Sequence, residues 1–346
     1  TEQYSKADPA TWDINDFHKR ISELYLQSIQ PESLLQQTRL STYDAIIIKG
    51  NVRQLRPTLF DLLAHRALQY FQNDERDLTK PAYAFQISDA RAFDPAADFV
   101  KRKFPTRDSS SLQHKALLIY QQLISLHLRD ARPDALLDAD LLRLAFVKSK
   151  STHPGKDQLY FNSIQHIASQ YGNTAAAAQA WYLLAAWYNE KAAEYRPHGD
   201  STHRFDKIRA KEICEKVLQQ KDSSEGRINC YNLLRDIQRK SFQFILEKVN
   251  IPGQPFRSLV KYTNITNLHF RLIRMNDELK KQLEEQYSDK YWAALINARA
   301  EKSWEQSLPD TKDYQQHLVE IMVSPLSPGE YILMASDNKD YKAAKK

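Results

Sequence analysis

The chain has 346 residues, of which 42% are apolar and 27% charged, so it is long enough for two domains and apolar enough to bury a core. Half of its net charge of +6 comes from the last eight residues, and the nearly neutral remainder gives no signal of nucleic-acid binding. Only seven glycines occur and no apolar run approaches ~18 residues, which disfavours a glycine-rich nucleotide-binding enzyme and rules out a membrane span.

The amino-terminal part of the chain has the 3.6-residue periodicity of amphipathic helices. Residues 12–36 place apolar side chains on one helical face, and Pro31 is predicted to mark the end of this helix. Further helices are predicted at three places: after Pro57, over residues 112–128 and after Pro133. Residues 79–107 contain three prolines and lack a stable period, which indicates an irregular connection with one short helix.

Two similar stretches lie about fifty residues apart, residues 167–184 and residues 217–234. Each is predicted to form a helix, a polar turn and a second helix, with Thr174 and Ser224 capping the second helices. Because such a hairpin cannot bury its apolar face alone, its neighbours must stack. The sequence therefore predicts an α-solenoid resembling tetratricopeptide repeats, in which the alanine-rich residues 175–180 permit close helix packing.

Four aromatic residues in the second predicted helix are the candidate partner-binding residues: Trp181, Tyr182, Trp187 and Tyr188. They could line a concave surface that binds a peptide. Aromatic side chains at helical spacing are more often part of the core, so both interpretations stay open.

After Lys240 the period changes from 3.6 to two, which is typical of β-strands. Six short strands are predicted, at residues 241–249, 257–262, 268–274, 302–308, 315–323 and 330–335. A charged helical segment, residues 278–300, interrupts them. The fold class is therefore α+β: an amino-terminal α-helical, tetratricopeptide-like array followed by an antiparallel β-sandwich.

The sequence contains no recognisable catalytic, cofactor-binding or metal-binding motif, so we predict that the chain is not an enzyme. Neither His18 nor His65 has a visible partner for general-base chemistry, which favours surface or capping roles for both. Cys214 and Cys230 lie in helical patterns and are predicted to be buried thiols, although their spacing leaves a disulfide open.

Parts of the sequence resemble a known family. Residues 259–265 and 268–272 are similar to the early strands of a macroglobulin domain, as are residues 308–333, which include Leu-Ser-Pro-Gly-Glu-Tyr at positions 326–331. The helical residues 56–68 resemble the amino-terminal region of large bacterial alpha-2-macroglobulin-like proteins, notably those of Bacteroidetes. The resemblance covers residues 241–336 best.

The resemblance implies a fragment of a protease trap at the cell envelope. Its domains would be a helical repeat-like region over residues 1–239, a macroglobulin-like sandwich over residues 240–336 with a helical insertion at about 277–300, and a basic disordered tail over residues 337–346. The Cys-Leu-Glu-Gln thioester motif of the family is absent, and no thioester residue is assigned.

The expected function is that of a non-catalytic scaffold in such an endopeptidase inhibitor. Its partners would be the rest of the polypeptide, and also proteases or envelope proteins, but no nucleic acid, membrane or cofactor. The expected location is the periplasm or cell surface, with a lipid anchor on a removed amino-terminal segment as one option. The alternative is a free-standing helical-repeat adaptor that binds a peptide or envelope protein through its aromatic residues.

Overall fold

The computed structural model describes residues 8–48, 50, 52–73, 82–172, 174–285, 287 and 289–341. Over these residues the fold is α+β, with helices first and two small antiparallel sheets near the carboxyl end, which confirms the predicted fold class. The chain divides into two compact units, residues 1–184 with 216–230 and residues 185–215 with 231–346.

The described helices are α1 (Ile14–Ser28), α2 (Glu32–Gln37), α3 (Leu59–Phe71), α4 (Ala96–Phe99), α5 (Leu112–His127), α6 (Asp134–Lys150), α7 (Lys156–Tyr171), α8 (Ala178–Lys191), α9 (Asp206–Leu218), α10 (Glu225–Gln238), α11 (Asp277–Glu284) and α12 (Asp289–Asn297). The described strands are β1 (Ser241–Ile245), β2 (Phe256–Thr263), β3 (Asn267–Arg274), β4 (Lys302–Ser307), β5 (His317–Val323) and β6 (Tyr331–Ser336). The six predicted strands and the interrupting helical segment are confirmed, with ends that shift by a few residues.

In the first unit, α3, α5 and α6 form successive packed neighbours, and α7 packs against α6. Their buried side chains include Phe60, Phe71, Leu117, Leu123, Leu144 and Val147. Helix α3 begins with a capping box in which Thr58 and Asp61 satisfy each other's backbone N–H groups. The connection before α5 contains α4 and a 3-10 turn at Ala90–Phe93, while its predicted first residues, 79–81, lie outside the described residues.

The helix–turn–helix prediction is confirmed for both similar stretches, by α7 and α8 and by α9 and α10. Thr174 Oγ1 accepts a hydrogen bond from the N–H of Ala177, and Ser224 Oγ accepts one from the N–H of Arg227. Both hydroxyls therefore cap as predicted, although Asn173 of the first turn lies outside the described residues.

The amino-terminal ends of α8 and α10 approach each other closely in the first unit. A Cβ atom placed on Gly226 would lie 2.2 Å from the carbonyl carbon of Ala178, so only glycine fits there. Ala177, Ala178 and Ala180 are fully buried at this approach. The alanine-rich stretch thus permits the close packing that the sequence predicts.

In the second unit, one sheet has the strand order β1-β2-β5 and the other has the order β4-β3-β6, and every described pairing is antiparallel. Their inner faces share one apolar core, in which Phe244 of the first sheet contacts Phe270 of the second at a ring distance of 6.2 Å. The two sheets therefore form a β-sandwich. Helices α11 and α12 pack against Ile273 and Met334 on the outer face of the second sheet. Of the predicted tail, residues 342–346 lie outside the described residues.

Candidate functional site

The loop between β4 and β5 in the second unit carries a fully buried carboxylate, Asp313. Its Oδ1 accepts hydrogen bonds from Thr311 Oγ1 at 2.9 Å, from the N–H of Gln315 at 3.1 Å and from Nε2 of His317 at 2.8 Å. Its Oδ2 accepts a hydrogen bond from Nε of Arg204 at 3.0 Å. Because Arg204 lies in the connection between α8 and α9, two residues before α9, this ion pair attaches that connection to the sandwich. We call this cluster the Asp313 junction.

The same loop also forms hydrogen bonds with the backbone of this connection, residues 192–207. Nε2 of Gln315 donates to the carbonyl oxygens of Ala192 at 3.1 Å and of Arg204 at 3.2 Å. In the opposite direction, Nζ of Lys207 donates to the carbonyl oxygen of Tyr314 at 3.0 Å. The loop and residues 192–207 therefore hold each other through side-chain to backbone hydrogen bonds, which fix position as well as contributing free energy.

The backbone of this loop is strained in a way that the junction supports. Lys312 and Tyr314 have φ angles of 52° and 58°, in the left-handed region that residues other than glycine rarely adopt. Such a conformation costs about 1 kcal/mol or more for each residue and persists only where surrounding contacts impose it. Here the hydrogen bonds of Asp313 and Gln315 impose it.

Opposite charges meet in the junction. Burial alone would raise the pKa of Asp313, but the hydrogen bonds from His317, Gln315, Arg204 and Thr311 outweigh it and hold that pKa below its ordinary value. Burial lowers the pKa of Lys207, against the opposing charge of Asp313. The carboxylate is therefore ionised at neutral pH, as a structural ion pair requires.

The geometry suits attachment better than catalysis. A catalytic triad needs a histidine whose two ring nitrogens face the acid and the nucleophile separately. In the junction, Thr311 Oγ1 and Asp313 Oδ1 both lie 2.8 Å from the same nitrogen, Nε2 of His317. Thr311 also donates directly to Asp313, so His317 cannot relay a proton between them.

A second anchor in this unit joins the end of α10 to the sandwich. Asn264, at the corner between β2 and β3, has a φ of 56°. Its Nδ2 donates to the carbonyl oxygens of Ile237 at 2.7 Å and Arg239 at 3.0 Å. These carbonyls belong to the last turn of a helix and the residues after it, where intrahelical partners are missing, so Asn264 acts as a cap supplied from the sandwich.

A different buried network lies in the first unit, between α3 and the end of α5. Oδ1 of the fully buried Asp61 lies 2.7 Å from Nε2 of His127, and Nδ1 of His127 lies 2.8 Å from Oδ2 of Asp130. Carboxylates accept hydrogen bonds and do not donate them when ionised, so both ring nitrogens carry protons. Burial lowers the pKa of His127, but the bonds and charges of Asp61 and Asp130 raise it overall above its ordinary value.

The four candidate partner-binding residues all lie on α8 and are all half-buried. In the first unit, Nε1 of Trp181 donates to the carbonyl oxygen of Gly172 at 2.9 Å, and Nζ of Lys216 lies 4.5 Å from its ring centre. Tyr182 belongs to the same unit, and its hydroxyl forms no hydrogen bond with the described residues. The contacts of Trp181 are therefore those of a side chain used within the fold.

In the second unit, the rings of Trp187 and Tyr188 meet edge to face at 5.3 Å. The guanidinium of Arg209 lies 5.6 Å from the Tyr188 ring, and Nζ of Lys191 lies 5.9 Å from the Trp187 ring. These cation–π contacts also engage both aromatic side chains inside the unit.

The sequence did not identify the residues of the Asp313 junction, and it misjudged one histidine. His65 is mostly buried, because α3 packs against α1, α2 and α5, and its Nδ1 lies 2.8 Å from the carbonyl oxygen of Asp61. The predicted surface role for His65 is therefore wrong. Nδ1 of His18 lies 3.3 Å from the hydroxyl of Tyr70. Cys214 and Cys230 are buried thiols, as one prediction had it.

Within the described ranges, no group of three or more His, Cys, Asp or Glu side chains could hold a metal ion. Within the same ranges, no helix combines the length and apolar character needed to cross a membrane. No protein-family model matches the chain, and neither a curated protein nor a solved structure shows significant similarity to it. The functional argument therefore depends on the residues themselves.

Proposed function

We propose that the chain is a non-catalytic scaffold, a helical array attached to a β-sandwich, in a bacterial alpha-2-macroglobulin-like envelope protein that inhibits endopeptidases. The observation that carries this proposal is the Asp313 junction. An ion pair between the buried Asp313 and the partly exposed Arg204, with three backbone-directed hydrogen bonds, fixes residues 192–207 to the sandwich loop, and none of these groups is arranged for proton relay.

A scaffold needs a defined arrangement of its elements, and within the second unit buried polar contacts supply it for the helical elements and the sandwich, because such contacts are satisfied in one geometry only. The Asn264 anchor adds a second fixed point in the same unit. One attachment would permit rotation about a single point, whereas two, at residues 192–207 and at residues 237–239, restrain rotation of the helical elements of this unit on the sandwich. The macroglobulin identity and the envelope location come from the sequence resemblance alone.

The helical-repeat adaptor has less support. It needs aromatic side chains that are available to a partner, whereas Trp181, Trp187 and Tyr188 each have contacts within their own unit.

The test is a trapping assay on the whole polypeptide that contains this segment. A trap protects a large protein substrate from an endopeptidase while the trapped protease still cleaves a small peptide substrate. Asp313→Asn is expected to reduce this protection, and Asp310→Asn, an exposed carboxylate in the same loop, is expected to leave it unchanged. Failure of the whole polypeptide to protect the protein substrate would remove the inhibitor proposal.

A further inference from the structure

A cavity in the first unit, between α6, α7 and the connection that contains α4, is independent of the scaffold function. Its volume is about 340 Å³, roughly twice the ~150 Å³ of an engineered cavity that binds benzene. Its apolar wall is formed mainly by Phe93, Leu128, Leu136, Leu144, Leu159 and Ile167. The cavity therefore has the size and the lining of a site for a small molecule with an apolar body.

A charged side chain lies at the floor of the cavity. Asp140 is 3% exposed and lines it. Its Oδ1 accepts hydrogen bonds from Nε of Arg143 at 2.9 Å and from Nη2 of Arg143 at 2.6 Å. Its Oδ2 accepts none from the described residues.

This second oxygen remains accessible. Among the described residues, only two buried side-chain atoms are both closed to solvent and without a hydrogen bond, Nε2 of His65 and Oδ2 of Asp222, and neither belongs to Asp140. Oδ2 of Asp140 also lacks a hydrogen bond but is not sealed, so it is reached through the cavity that Asp140 lines. Burial raises the pKa of Asp140, and the charge and hydrogen bonds of Arg143 oppose this shift. Because the guanidinium of Arg143 is always charged and contacts Oδ1 at 2.6 Å, Asp140 is paired with it as a carboxylate. The second oxygen of such a carboxylate is a strong acceptor in an apolar site, because little competes for its lone pairs.

The other charged groups favour a cation over an anion. Arg143 is fully buried, and beyond its two bonds to Asp140 it donates to the carbonyl oxygens of Ala92 at 2.6 Å and Asp94 at 3.0 Å. Four of its five N–H groups are therefore engaged, and its charge is balanced by Asp140. Asp94 also lines the cavity, and its carboxylate is paired with Nε of Arg102 at 2.6 Å. An anionic ligand would therefore find no unpaired arginine or lysine among the lining residues, whereas Oδ2 of Asp140 is open to a hydrogen-bond donor.

The mouth of the cavity is polar and is formed by α7. His166 and Gln170 are exposed there, and Tyr171 lies half-buried beside them. Burial and then the charge of Asp140 raise the pKa of the Tyr171 phenol above its ordinary value, so the field of Asp140 extends to the mouth.

We propose that this cavity binds a small primary amine with a compact apolar body, whose ammonium group donates a hydrogen bond to Oδ2 of Asp140. The apolar body lies against the leucine-rich wall, and the remaining ammonium hydrogens face the polar mouth. The apolar wall contributes affinity, and the carboxylate makes the site selective for a cationic ligand.

The test is isothermal titration calorimetry of the whole chain with 2-phenylethylamine as the probe. Its neutral analogue 2-phenylethanol and its anionic analogue 3-phenylpropanoate have similar size and a similar apolar body. The amine is expected to bind about tenfold more tightly than the alcohol, the difference for a charge-assisted hydrogen bond. The acid is expected not to bind. Equal affinities for the amine and the alcohol would overturn the proposal.

Two variants and a matched control locate the site. Asp140→Asn removes the preference for the amine over the alcohol, whereas Asp134→Asn, on the same helix but outside the cavity, keeps it. Ala97→Trp, at an exposed position on the rim, fills the mouth and abolishes binding of both probes. If circular dichroism shows that Asp140→Asn does not fold, Ala97→Trp decides: unchanged amine affinity in that variant would place the binding elsewhere and overturn the proposal.

Discussion

Each unit of the molecule contains a buried pair of an aspartate and a histidine, and the two pairs are built in opposite ways. In the first unit the histidine, His127, lies between two carboxylates and holds the charge that neutralises the fully buried Asp61. In the second unit the aspartate, Asp313, collects donors from three directions, and Arg204 supplies the permanent cation.

The difference determines how each network responds to pH. A histidine whose pKa is raised by folding stabilises the protein at pH values below its ordinary pKa of 6.5. This contribution is lost as the pH rises through the raised pKa. An aspartate whose pKa is lowered by folding stabilises the protein at pH values above its ordinary pKa of 3.8. This contribution is lost as the pH falls through the lowered pKa. The first network is therefore weakened by base and the second by acid.

The largest effect is expected for His127→Ala. It leaves the carboxylate of Asp61 buried without a cation, and breaking a buried ion pair in this way costs about 3–5 kcal/mol in the free energy of unfolding. Urea unfolding of the first unit, followed at pH 6, measures it.

The pH dependence provides the check. The difference between wild type and His127→Ala should be largest below pH 6.5 and should shrink as pH rises, because wild-type His127 then loses its proton. His198→Ala, at an exposed position, serves as the control and should change neither stability nor its pH dependence. A destabilisation that grows with pH would contradict the charged state of His127.

Asp313→Asn is expected to have the next largest effect, a loss of about 2–3 kcal/mol in the second unit. The substitution removes the negative charge that pairs with Arg204, and it places an amide N–H group against the donors that Asp313 accepts from. The cost is limited because Arg204 is partly exposed and water can solvate its charge. Hydrogen exchange of residues 192–207 measures the local effect, and protection there should fall.

Asp310→Asn is the matched control for this loop and should leave exchange unchanged. The difference between Asp313→Asn and wild type should also diminish as pH falls below 3.8, the reverse of the behaviour of His127. Unchanged protection of residues 192–207 in Asp313→Asn would show that the junction does not attach these residues to the sandwich.

The elements of the fold could be predicted from the sequence to a degree that the polar networks could not. Alternation of apolar residues and runs of β-forming residues located the six strands of the described residues, and Thr174 and Ser224 were identified as caps because the groups they satisfy lie three residues away. By contrast, Asp313 and Arg204 are 109 residues apart, and no local pattern links them. The same applies to Asp140, whose cavity is closed by the aperiodic connection around α4.

A smaller effect, about 1–3 kcal/mol, is expected for Gly226→Ala, and it concerns sterics instead of charge. The added methyl group would overlap the backbone of Ala178, and overpacking of this kind outweighs the better helix propensity of alanine. Thermal unfolding followed by circular dichroism measures it. The loss of stability should be independent of pH, unlike the effects of the substitutions in the two polar networks. An increase in stability would show that α8 and α10 can separate at no cost.

Trp181→Phe is expected to have the smallest effect, a loss of about 1 kcal/mol, because it removes only the hydrogen bond from Nε1 to the carbonyl of Gly172 and keeps an aromatic ring under Lys216. Tyr182→Phe, on the neighbouring residue of α8, removes a hydroxyl that forms no hydrogen bond with the described residues and should be neutral. Urea unfolding compares the two variants. If both are neutral, Trp181 does not stabilise the first unit through this bond, and its indole N–H becomes available to a partner, which would favour the adaptor. A loss confined to Trp181→Phe would instead place this tryptophan with the polar networks, as a side chain whose N–H is used to hold its own unit together.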